Sequence, residues 1–167
     1  YYITEESSIP KVYGGFNTSL SWKGFDLSAI FAYSIGGYIY NRDITMILHN
    51  GSLEGRAWST EILRRWTPDN RYTDVPALST TSNNWNSAST RFLQNNSYMR
   101  LKNLTLSYNL PKPWVSKLAL SSVQVYVQGD NLFTIHKNQG LDPEQGITGI
   151  TYYRYPAMRT ISGGINI

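Results

Sequence analysis

Five aromatic side chains in polar surroundings, Trp58, Trp66, Trp85, Tyr72 and Tyr152, are the residues of this sequence best suited to hold a ligand. A ring face stacks on the apolar side of a sugar or peptide group while its edge stays wet. For Trp58 and Trp66 a packing role, holding a loop helix in place, is the better fit. Trp85, flanked by Thr81, Ser82, Asn83, Asn84 and Asn86, leaves both readings open. Arg100, Lys102, Asp130 and Asn131 fall near strand ends, where such groups line a polar channel or anchor loops, with anchoring the better fit. Asp142-Pro143-Glu144 brings two carboxylates into one turn, a start toward calcium but without the regular series of oxygen ligands that ion needs. His49 and His136 have no partner at metal-ligand spacing and read as loop surface residues. Cysteine is absent, which excludes a disulfide framework, a thiolate zinc site and a thiol nucleophile. No Gly-x-Ser-x-Gly elbow, phosphate-cradling glycine loop or paired acid–base carboxylates occur. The sequence predicts no enzyme and no cofactor.

The elements that must position these residues show in the composition first. The chain has 167 residues, 41% hydrophobic and 14% aromatic but only 16% charged, where about 25% charged is usual for a soluble domain. Thirteen Tyr and five Trp fill the difference and suit a surface partly wet and partly apolar. The net charge of +4 comes from 15 basic and 11 acidic residues. The basic residues are scattered singly, so no nucleic-acid partner is expected. No apolar run approaches the roughly 18 residues of a membrane-spanning helix.

Ordered stretches alternate with a period of two, the signature of strands with two unlike faces. In residues 14–22, Phe16, Thr18, Leu20 and Trp22 face one way, and Asn17, Ser19 and Ser21 the other. After Lys23-Gly24, a tight-turn pair, Phe25, Leu27, Ala29, Phe31 and Tyr33 repeat the pattern over 25–34. Three further strands are predicted over 97–110, 121–133 and 157–167. In the first of these, Met99 and Leu101 sit on the opposite parity to Leu104, Leu106 and Tyr108. That slip, near Lys102-Asn103, calls for a bulge or for a strand leaving an apolar band. The runs are about 9–13 residues long, beyond the roughly 5–6 of soluble sheets and matched to the 9–11 that cross a bilayer at a tilt. Connections alternate short and long, and the longest holds an expected helix over 57–66 that stops before Pro68.

Small polar residues opposite aliphatics suit a sheet with hydrocarbon on one side and water on the other. Five strands cannot close, and an open edge in hydrocarbon leaves backbone groups unpaired. The reading is therefore a piece of an antiparallel transmembrane β-barrel whose other strands lie upstream, consistent with a start at Tyr1 rather than a methionine. The alternative is a soluble carbohydrate-binding β-sandwich, in which two sheets bury one shared face.

The run SYMRLKNLTLSYNLP from Ser97 to Pro111 resembles a segment of SusC/RagA-like TonB-linked outer-membrane proteins. Val125 to Thr134 (VYVQGDNLFT), Gly140 to Glu144, Trp66-Thr67-Pro68 and the closing stretch Tyr155 to Ile167 are similar to further elements of that family, in family order. The resemblance implies that residues 1–167 are the C-terminal part of a TonB-dependent receptor barrel, all-β, with about five strands, long extracellular loops and one short loop helix. It implies a location in the outer membrane, contact with lipid, TonB acting through absent N-terminal parts, and a SusD-like lipoprotein lid. The cargo would be oligosaccharide or peptide, met by the loop aromatics. The family ends in an aromatic residue, so the stop at Ile167 implies that about two residues follow.

Overall fold

Alternating apolar and small polar residues pair edge to edge along nearly the whole predicted length of each strand. The computed structural model describes residues 5–49, 51, 53, 55–79, 81, 87–140, 142–144 and 146–167. Strands β1 (Val12–Trp22), β2 (Phe25–Ile35), β5 (Tyr98–Asn109), β6 (Gln124–His136) and β8 (Thr160–Asn166) form one antiparallel sheet in the order β1-β2-β5-β6-β8. The last two strands start about three residues later than the alternation predicts, so Val123 lies just before β6. Lys23 and Gly24 close the β1–β2 hairpin with φ of 47° and 87°. That left-handed pair matches the twist of the flanking strands. A side chain at Gly24 would also crowd the Asn109 carbonyl oxygen at 3.1 Å.

Register carries each face straight across the sheet. Leu20, Leu27, Leu106, Val127 and Gly163 form one row, and Trp22, Phe25, Tyr108, Val125 and Ile165 the next. The opposite face holds Ser19, Ser28, Thr105, Gln128 and Ser162. Hydrogen bonds knit that polar face: Asn103 Nδ2 donates to Asp130 Oδ1 at 2.8 Å, and Asn109 Nδ2 to Asp26 Oδ2 at 2.7 Å. The parity slip is a bulge. Lys102 is skipped between Leu101 and Asn103, and β6 answers with Asn131 and Leu132, Asn131 at φ 52°. Phe31, Leu101 and Phe133 consequently share the apolar face with Leu104 and Leu106.

Most of that face is uncovered among the described residues, Ala29 and Leu101 being its buried members. Leu20 is 67% exposed, Val127 49% and Ile165 62%. A sandwich would bury these side chains beneath a second sheet, so the described fold departs from that alternative.

The buried core lies instead in the long connection after β2. There β3 (Tyr38–Asn41) pairs antiparallel with β4 (Leu93–Asn95) and parallel with β7 (Ile150–Thr151), which comes from the next long connection. Ile39, Ile62, Val75 and Phe92 are buried in this lobe, with Tyr40 edge-on to Phe92. Helix α1 (Arg42–Ile47) was not anticipated, although Asn41 caps it through Oδ1 on the Ile44 amide at 3.1 Å. The helix expected over 57–66 is corrected to a single 3-10 stretch, Thr60–Arg64, capped by Ser59. It ends early because the Trp66 amide bonds the Val75 carbonyl and Thr67 bridges Asn70, turning the chain away from helical geometry. A second helix, α2 (Lys112–Val115), sits in the short β5–β6 connection.

Candidate functional site

The two long connections meet above one end of the sheet, and the junction is built on Arg100. Its position just before the bulge aims the side chain toward residues 142–144. The guanidinium donates to Thr134 Oγ1 at 2.8 Å, Glu144 Oε2 at 2.7 Å and Asp142 Oδ1 at 2.5 Å. Lys102, the bulged residue, reaches Glu144 at 2.6 and 2.5 Å. Arg100 and Asp142 side chains are only 4% and 7% exposed, so the pair is held out of solvent. Breaking one member of such a pair costs about 3–5 kcal/mol, because the other is left buried and charged.

Asp142 is the hub of the second connection. Its carboxylate accepts amides from Glu144 at 2.9 Å and from Ala157 at 2.6 Å. Burial by itself raises its pKa, but these two amides and the Arg100 guanidinium outweigh burial and hold the carboxyl below its usual value. Asn96 adds a tie to the Pro143 carbonyl at 2.8 Å, and Asn138 one to Asn96 at 2.9 Å. The anchoring role expected of Arg100 and Lys102 is what the geometry displays. Asp130 belongs to the polar face, and Asn131 holds the Met158 carbonyl at 3.1 Å. The calcium reading of Asp142 and Glu144 has no support here, since both carboxylates point at cations. Among the described residues no cluster of three or more potential ligands could hold a metal.

The aromatic candidates are not assembled into one platform. Trp58 donates from Nε1 to His49 Nδ1 at 3.0 Å with the rings edge-on, while its own surface is 43% exposed. His49 is buried, a correction to its reading as a surface residue. Its Nδ1 also faces the amides of Gly51 and Leu53, an arrangement that requires the unprotonated nitrogen. Burial accordingly lowers its pKa. Tyr152 packs against Tyr153 with ring centroids 4.2 Å apart and the rings tilted by 53°, and lies under Arg42, 4.7 Å from the guanidinium carbon. Trp66 is 43% exposed beside the Thr67–Asn70 turn, and Tyr72 is fully exposed. Trp85 lies outside the described residues.

Among the cavities between the described elements, two are close to 500 Å³, and none of the four described aromatics lines either. One, about 500 Å³, has Ile44, Ile47, Leu48, Val75 and Phe92 along it and a charged rim where Asp74 pairs with Arg64 and Arg91. The other, about 510 Å³, is bounded by the upper part of β6 and residues 154–159, with Arg100, Asp142, His136, Arg154 and Arg159 around it. Sequence reasoning did not single out Arg154 or Arg159. The available signal was a pair of cations in a connection whose acids were already assigned to one turn.

No family model matches the chain. It is 37% identical over 165 residues to TonB-dependent receptor P3 of Formosa agariphila, covering 92% of this chain and 16% of that protein. It is 30% identical over 171 residues to TonB-dependent receptor P26 of the same organism, covering 96% and 17%. To TonB-dependent receptor SusC of Bacteroides thetaiotaomicron it is 27% identical over 157 residues, covering 92% and 14%. The RagAB peptide importer in its closed-closed state superposes with TM-score 0.83 at 35% identity, over 97% of this chain and 18% of that one. Its open-open state gives 0.78 at 33% identity, over 97% and 17%. The chain thus spans less than a fifth of the length of each of these relatives.

Proposed function

We propose that this chain, a relative of the SusC/RagA-like TonB-dependent receptors along nearly all of its length, is the C-terminal wall segment of an outer-membrane nutrient importer. The observation that carries the reading is the five-stranded sheet with one uncovered apolar face and one hydrogen-bonded polar face. In this reading the rows led by Leu20 and Trp22 meet lipid and the Ser19 row lines a wet interior. The outer edges of β1 and β8 pair with strands supplied by the rest of the protein, since an unpaired edge in hydrocarbon costs several kcal/mol per group. The hairpin turn Lys23-Gly24 and the connection holding α2 lie on the periplasmic side. The two long connections, 36–97 and 137–159, lie outside, where they shape cargo entry and meet a SusD-like lipoprotein lid. TonB acts through parts of the protein beyond these residues. Cargo is oligosaccharide or peptide, with Trp58, Trp66, Tyr72, Tyr152 and Trp85 as its aromatic contacts.

Val125→Arg in the full-length protein tests this assignment. A charge facing mid-bilayer costs about 2–4 kcal/mol, so the variant should be depleted from the folded outer-membrane fraction. Gln128→Arg, on the opposite face, should assemble as the parent does. Equal assembly of both variants overturns the lipid-facing assignment.

A further inference from the structure

The acidic groups of the 137–159 connection do not set the charge of the cavity beside it. Asp142 and Glu144 are engaged by Arg100 and Lys102, with Arg100 almost wholly buried. That leaves Arg154 and Arg159 on the cavity wall with no carboxylate partner among the described residues. At about 510 Å³ the space admits a sugar ring or an amino-acid side chain. We propose that this cavity binds an oxyanion carried by the cargo, a carboxylate or its equivalent, through Arg154 and Arg159. The proposal deepens the import reading, on which the outward placement of the cavity rests.

Three features support it. A guanidinium presents paired N–H donors that match a carboxylate in bidentate fashion. The buried Arg100–Asp142 pair fixes the wall, because Asp142 also holds the Ala157 amide between the two arginines in sequence. The local acids are neutralised by fixed partners, so an incoming anion meets attraction without a competing carboxylate free to swing in.

Binding is measured by titration calorimetry on the full-length protein in detergent at low ionic strength. The probes are triglutamate against triglutamine, and trigalacturonate against trigalactose. The wild type should prefer at least one acidic probe over its neutral counterpart by about tenfold or more, and added salt should erode the preference. Which acidic probe is preferred identifies the carrier as peptide or glycan. Arg154→Gln/Arg159→Gln should abolish the preference, and Lys112→Gln/Lys117→Gln, an equal charge change in the short β5–β6 connection, should keep it. An acidic preference that survives the double substitution, or none in the wild type, overturns the proposal. Either result leaves the import reading standing provided the protein still assembles in the outer membrane.

Discussion

Arg100 ties three separate parts of the described architecture together. It joins β5, β6 through Thr134, and the 142–144 turn, and does so out of solvent. Arg100→Met should therefore free residues 137–159, read as faster amide exchange there, at a cost of about 3–5 kcal/mol. Adding Asp142→Asn should recover part of the loss, because the stranded buried charge disappears. The same hub gives a pH dependence with a definite sign. Asp142 titrates lower when folded than its ordinary 3.8. At pH values between the two, the unfolded connection binds a proton that the folded one does not. The stabilisation is whole above the ordinary value and fades as pH falls through the folded one, so protection of 137–159 should drop on acidification in that range. Arg100 and Lys102 were legible as anchors from their place near a strand end. Their partners were not, since 42 and 44 residues separate Arg100 from Asp142 and Glu144.

At the scale of elements, the bulge decides which side of the sheet each residue of β5 serves. Side-chain direction alternates strictly, so one extra residue flips everything on one side of it. Deleting Lys102 should turn Arg100 toward the apolar face and strip it from Asp142. The full-length deletion variant should then fail to reach the folded outer-membrane fraction, whereas Lys102→Ala, which keeps the count, should reach it. Normal assembly of the deletion would contradict the pairing described. Strands and the hairpin turn were readable because period and turn chemistry are local. The small lobe was not: β3, β4 and β7 are short, and β7 arrives from more than a hundred residues away to pair with β3. Helix α1 had a local signal in Asn41 and Asp43, but its six residues, under two turns, are too few to show a helical period.

For the whole molecule, the uncovered face and the two unpaired outer edges bear on how these residues behave alone. An exposed apolar patch of this extent, bordered by free strand edges, drives association in water. Expressed by itself without detergent, the 167-residue segment should sediment as aggregate rather than as a monomer. A stable, soluble monomer would point back to a compact body with a covered core.

From the sequence alone came the all-β class, the amphipathic strands, the parity slip and the likeness to outer-membrane receptors. These depend on periodicity and on motifs a few residues long, which survive without knowledge of distant neighbours. Tertiary structure decided that the loop acids answer to Arg100 and Lys102, that His49 is buried under Trp58, and that Arg154 and Arg159 border a shared cavity. Each of those facts is a meeting between residues the chain keeps apart, and only the closing of the fold determines which charges find each other.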